Sequence, residues 1–189
     1  MKRSDAADMI ERTLTENEVF RGRIFTAYND EVSLPNGNVS RREYVSHRGG
    51  VCCAALNEKN ELAFVRQYRY AYRQVVAELP AGKLEPGEDP DDAIRREIRE
   101  ETGAECVGWR SMGRLYPSPG YCNEIIHLYA CRIKSIGEQN PDEDECLEVE
   151  YVPLEKAVDM VLAGELPDSK TQTLVLKVAE LLRRGESIG

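Results

Sequence analysis

The stretch Gly82–Ala104, GKLEPGEDPDDAIRREIREETGA, constrains this chain more than any other. It reads as a glycine-opened loop running into one acidic helix. Asp89 suits the N-cap, Pro90 the first helical position, and Asp91 and Asp92 the positive first turn. Gly103 suits the position just past the last turn. Ile94 and Ile98 fall four apart and can share a core-facing stripe, whereas Glu97, Glu100 and Glu101 gather on a neighbouring face. Like charges so placed repel, and helix propensity gives no reason for them. One reading is a solvated helix neutralised locally by Arg95, Arg96 and Arg99. The other is a hard divalent cation, because Mg²⁺ takes carboxylate oxygens together with water and substrate phosphate. Gly82 and Gly87 would let backbone groups approach the same ion or a phosphate, and the loop leads straight into the helix.

The chain has 189 residues, enough for one core-forming domain with or without an N-terminal appendage. Its net charge of −9, with 31% charged residues, disfavours nucleic acid and anionic membranes as partners. A polyanionic substrate would need a cation to offset the repulsion. No apolar run reaches membrane-spanning length, and the N-terminus MKRSDAADMIERTL has no apolar signal core, so a cytoplasmic protein is expected. The six cysteines form no C-x-x-C pair, and two histidines are too few for a zinc site. Free, mostly buried thiols are expected.

β-forming residues and a strong turn signal predict strands at 23–33 and 38–46 around Leu34-Pro35-Asn36-Gly37-Asn38, within an N-terminal antiparallel unit spanning 19–47. A second hairpin, 51–56 and 61–67, turns at Asn57-Glu58-Lys59-Asn60. Residues 75–79 lead into the glycine loop. Strands at 106–115 and 124–133 flank the rigid loop Tyr116-Pro117-Ser118-Pro119-Gly120-Tyr121, and a further strand is expected at 147–152. Residues 153–163 and 169–184 read as helices, the second with an apolar stripe of Leu174, Val178, Leu181 and Leu182. Many strands with few helices indicate a mixed α/β sandwich. The domain reading is 1–47 for the N-terminal β unit and 48–189 for the rest.

The spacing G-x5-E-x7-R-E-U-x-E-E-x-G-U, with U apolar, is filled by Gly82, Glu88, Arg96, Glu97, Ile98, Glu100, Glu101, Gly103 and Ala104. It resembles the signature box of the Nudix hydrolases, with Ala104 a small version of the last apolar position. At about 7% usage per residue, seven fixed identities should coincide on the order of once in 10⁸ positions. The strand and helix outline is similar to the Nudix α/β/α sandwich, a mixed sheet between helices. Gln67-Tyr68-Arg69, Glu78-Leu79-Pro80-Ala81-Gly82, the loop ending Pro119-Gly120, and the segment 142–149 resemble the ADP-ribose pyrophosphatase branch.

That resemblance implies hydrolysis of ADP-ribose to AMP and ribose 5-phosphate with Mg²⁺, or Mn²⁺ in its place. Glu97, Glu100, Glu101 and the carbonyl of Ala81 would ligate metal. Arg96 would orient a metal-binding glutamate, and Glu88 would support the loop. The acidic run Pro141-Asp142-Glu143-Asp144-Glu145-Cys146 would supply the base, Glu145 with Glu143 as alternate. Arg69 would bind phosphates, and Pro119 and Gly120 would border the substrate. Arg42 and Glu43 would build an adenine pocket across a homodimer. Arg42 stands where relatives often carry a stacking aromatic; Phe25, Tyr28, Tyr68 or the arginine plane itself could serve. GDP-mannose or another nucleoside diphosphate sugar is the alternative substrate. A non-catalytic ADP-ribose-binding module is a third reading, though such modules usually lose box glutamates and none is missing here.

Overall fold

A computed structural model describes residues 9–140 and 146–188. The chain divides into two compact units. One comprises the described residues up to Arg48 together with Ser118–Glu124, and the other Gly49–Pro117 with the described residues from Ile125 onward.

The first unit is a four-stranded antiparallel sheet of β1 (Arg12–Thr15), β2 (Glu18–Arg21), β3 (Phe25–Ser33) and β4 (Val39–His47). The β3–β4 hairpin runs in unbroken register from Ser33↔Val39 to Phe25↔His47 across the expected turn. The sheet begins at Arg12 rather than Val19, which corrects the sequence reading. Every residue of β1 and β2 is exposed, so neither strand carries a buried alternation that the sequence could display.

The second unit is built on β5 (Gly50–Leu56), β6 (Glu61–Arg69), β7 (Gln74–Glu78), β8 (Ala81–Lys83), β9 (Ala104–Leu115), β10 (Ile126–Ile136) and β11 (Glu148–Pro153). Their order is β11-β6-β5-β10-β9, with β7 on β6 and β8 on β5. β10 runs parallel to β5 and the other pairs are antiparallel, the mixed sheet expected of this sandwich.

β5 is buried along its whole length, and its two faces feed two cores. Val51, Cys53 and Ala55 pack with Ala93, Ile94 and Ile98 of α1 (Pro90–Thr102). Cys52, Ala54 and Leu56 pack with Leu154 and Ala157 of α2 (Leu154–Leu162) and with Leu174 and Val178 of α3 (Ser169–Arg183). Period-two alternation on a central strand thus places helices on both faces. Leu181 and Leu182 complete the predicted stripe of α3 as partly buried contacts.

All six cysteines are free; Cys52, Cys53 and Cys131 are buried, while Cys146 is exposed. Among the described residues, no helix is long and apolar enough to cross a membrane.

Candidate active site

α1 begins and ends where its sequence dictates. The Asp89 side chain accepts a hydrogen bond from the Asp91 N–H at 2.8 Å, with Pro90 opening the helix. Gly103 closes it in the left-handed region at φ 68°, and its N–H donates to the Arg99 carbonyl. A Cβ there would lie 2.4 Å from the Gly137 carbonyl oxygen, so both conformation and space call for glycine. Ile94 and Ile98 are each 1% exposed, which locks the rotation of the helix against the sheet. That rotation sets the glutamate face beside β8, where Ala81 and Gly82 pair with Cys52 and Val51.

The three arginines of the helix have separate tasks. Arg95 stacks over the Trp109 ring at 4.6 Å, and Arg99 pairs with Glu105 at 2.9 Å. Arg96 joins the acidic face. Its Nη1 donates to Glu97 Oε1 and to Glu100 Oε2, both at 2.9 Å. Its Nε and Nη2 make a bidentate pair with Glu88, each bond 3.0 Å long. One guanidinium therefore ties the loop to two carboxylates of the helix, more than a single surface ion pair could do. Its hydrogen bonds hold the Glu88 carboxyl below the usual carboxylate range, and Glu88 in turn is the first cause of the raised Arg96 guanidinium.

Glu101 is 2% exposed, and its Oε2 accepts from the Ala81 N–H at 3.0 Å. Glu97 is 9% exposed and lies directly over Gly82. Among the described residues, no three His, Cys, Asp or Glu side chains already converge as a metal cage. Glu97 and Glu101 instead lie beside the β8 backbone at Gly82 and Ala81, hard oxygen donors of the kind a divalent cation such as Mg²⁺ takes.

Arg69, near the β6–β7 turn, forms a bidentate pair with Glu78, Nε to Oε1 and Nη2 to Oε2 at 2.7 Å each. Glu78 also pairs with Lys170, which pairs with Asp168 at 2.9 Å. The sequence reading assigned no role to Lys170 or Asp168. Asp168 is the N-cap of α3, where its side chain accepts from the Thr171 N–H at 2.9 Å.

Arg42, Glu43, Pro119 and Gly120 lie in the first unit. Arg42 on β4 is held by Glu11, with Nε 2.7 Å from Oε2. Its neighbour Glu43 lines a pocket of about 380 Å³ with Tyr28, Asn29, Tyr44 and Tyr121. Tyr28 and Tyr44 are stacked at 5.1 Å, and the buried Asn29 Oδ1 finds no hydrogen-bond partner among the described residues. Pro119 and Gly120 belong to the segment Ser118–Glu124 of the same unit. Glu143 and Glu145 lie outside the described residues.

The chain is also similar to known proteins. Residues 46–173 match the NUDIX domain, and residues 11–45 match the nucleoside diphosphate sugar hydrolase N-terminal domain. An ADP-ribose pyrophosphatase of Bacillus subtilis is 38% identical, over 89% of this chain and 95% of its own. A methanol dehydrogenase activator of Bacillus methanolicus is also 38% identical, over 92% of this chain and 96% of its own. A GDP-mannose pyrophosphatase of Escherichia coli O1:K1 / APEC is 31% identical, over 86% of this chain and 92% of its own. With a family match across most of its length and its glutamate helix intact, the chain belongs to the Nudix family of hydrolases.

Proposed function

We propose that the chain hydrolyses the diphosphate bond of ADP-ribose, giving AMP and ribose 5-phosphate, with Mg²⁺ as the metal and Mn²⁺ as a substitute. The observation that carries the reaction type is the face of α1, where Glu97 and Glu100 share Arg96 while Glu101 is fixed on the Ala81 N–H. Glu97, Glu100, Glu101 and the Ala81 carbonyl would hold the metal. When bound, it supplies positive charge to the phosphoryl oxygens and acidifies a water. Arg96 keeps two of these carboxylates turned towards the loop. Arg69 offers its guanidinium to the diphosphate. Glu145 takes the proton of the attacking water, with Glu143 as alternate. Pro119 and Gly120 border the substrate.

Support for ADP-ribose as substrate comes from the ADP-ribose pyrophosphatases among the relatives, one from Mycobacterium tuberculosis at 32% identity included. Adenine has a candidate seat in the Glu43 pocket, where the Tyr121 ring suits a stacked base. Arg42 would border that seat from the same strand. Exposed apolar side chains on the first unit, Leu14, Val19, Phe20 and Ile24, each more than half exposed, support a homodimer. Residues 1–47 would be its contact domain and 48–189 the hydrolase domain. Free thiols throughout suit the reducing cytoplasm.

Purified protein with Mg²⁺ should convert ADP-ribose faster than UDP-glucose, NADH or diadenosine polyphosphates, with AMP and ribose 5-phosphate as products. The GDP-mannose pyrophosphatases at 31 and 33% identity favour one second reading. Cleavage of GDP-mannose with ADP-ribose untouched would select it. Binding of ADP-ribose without turnover would select a non-catalytic module.

A further inference from the structure

Glu78 and Lys170 are among the least exposed charged side chains of the second unit, at 3% and 8%. Glu78 stands between two cations: Arg69 takes both its oxygens at 2.7 Å, and Lys170 takes Oε2 from the α3 side. Asp168 completes the cluster, so two anions face two cations. The guanidinium of Arg69 spends its Nε–Nη2 edge on Glu78, which leaves the Nη1 edge for another acceptor. Arg69 is also the member of the four that reaches solvent, its side chain 39% exposed against 18% or less for the others. A buried lysine is a poor way to fill space, since an apolar chain of the same length would pack without desolvating a charge. Its presence points to the charge.

We propose that Lys170 is a positioning residue for diphosphate binding: it neutralises Glu78 from behind, so that Arg69 keeps its positive field and its second edge for the substrate. The role rests on the reading that Arg69 engages the diphosphate. Without Lys170, Glu78 and Asp168 would outnumber Arg69 and oppose an incoming polyanion. The charges are present as required. Burial pushes the Glu78 carboxyl up, but Arg69 and Lys170 outweigh it and leave it below its ordinary value. Burial likewise pulls the Lys170 ammonium down, and Asp168 and Glu78 more than restore it. The backbone beside Glu78 is secured separately, by the Leu79 N–H donating to Thr171 Oγ1 at 2.9 Å. Packing and charge in this turn can therefore be altered one at a time.

The test is calorimetric binding of adenosine 5′-(α,β-methylene)diphosphate, at low and high salt, to wild type, Lys170→Met, Lys170→Arg and Thr171→Val. Lys170→Met should weaken binding about tenfold at low salt and by less at high salt. Lys170→Arg should restore most of the affinity. Thr171→Val should lower Tm with affinity unchanged. Equal affinity for Lys170→Met and wild type would overturn the proposal, as would affinity falling in step with Tm in both Lys170→Met and Thr171→Val. Should Lys170→Met fail to fold, Asp168→Asn keeps a capping oxygen and leaves Lys170 to Glu78 alone. It should bind at least as tightly as wild type, and weaker binding overturns the role. Wild type that binds the analogue with these differences yet leaves ADP-ribose intact would sink the functional reading and keep the positioning role. Wild type that does not bind it would sink the positioning role.

Discussion

A Cβ built on Gly82 would lie 1.8 Å from Cδ of Glu97, closer than two non-bonded carbons can approach. The loop backbone and the helix carboxylate therefore occupy space that only glycine leaves open, although Gly82 needs no unusual backbone angle. Gly82→Ala should push the Glu97 carboxylate off the loop and weaken Mg²⁺ or Mn²⁺ binding together with turnover. Since only the end of the flexible Glu97 side chain stands in the way, stability should fall little. Metal titration by calorimetry and a urea melt measure the two effects; near-normal metal affinity would show that Glu97 can move aside without consequence.

Glu97→Gln and Glu101→Gln should lower kcat by at least about a hundredfold while leaving the fold intact. The amide oxygen at 101 can still accept from the Ala81 N–H, and that at 97 can still accept from Arg96. Removing one of several clustered like charges should leave Tm unchanged or raise it, because the arrangement serves chemistry at the expense of stability. Steady-state kinetics at saturating Mg²⁺ beside a thermal melt decide it. A mutant retaining near-normal kcat would remove that glutamate from the metal set.

Glu145→Gln should reduce kcat more than it changes KM, as expected for a group acting in the chemical step. The magnitude expected for general-base loss is about 10²–10⁴-fold. An unaltered kcat would transfer the role to Glu143, whose own Gln variant should then show the loss.

Much of α1 was legible because its boundaries are written in local chemistry. The capping Asp89, the opening Pro90 and the left-handed Gly103 act within one turn of themselves. The hairpins were legible through their turn residues and the β-forming side chains around them. β1 and β2 were not, because an exposed strand has no burial pattern to print. Nor was the Glu78–Lys170 pair. Its partners are 92 residues apart, and a lysine in the first turn of a helix reads as solvated until the fold buries it. The charge logic of the three arginines was likewise hidden. Composition cannot tell that Trp109 and Glu105 occupy Arg95 and Arg99 and leave Arg96 to the acidic face.

The pH dependence of stability should carry the signature of Glu78. Its carboxyl sits below its ordinary value, so its contribution is complete above the unfolded pKa of about 4.3 and is lost as pH falls through the folded one. The Lys170 ammonium sits above its ordinary value. Its contribution is complete below about 10.4 and is lost as pH rises through the folded value. Between those limits the pair stays charged. Glu78→Gln should therefore destabilise at neutral pH, by about 3 kcal/mol for a buried ion pair losing one member. It should also flatten the decline below about pH 4. Urea melts across that range compare the two acid limbs, and parallel limbs would assign acid sensitivity to other carboxylates.

The proposed homodimer can be tested on the first unit. Phe20 is 53% exposed and touches Phe25 at a ring separation of 5.6 Å, with the exposed Leu14 and Val19 in the same small sheet and the exposed Ile24 between β2 and β3. In the proposed homodimer a second copy would cover these side chains. Phe20→Glu should place a charge at that contact and shift sedimentation from dimer towards monomer at micromolar protein. Since Phe20 is already exposed within the chain, the monomer's Tm should change little, and the loss should appear in the association constant. A variant that sediments as wild type would place the contact elsewhere, and a wild type that is monomeric at those concentrations would remove the dimer altogether.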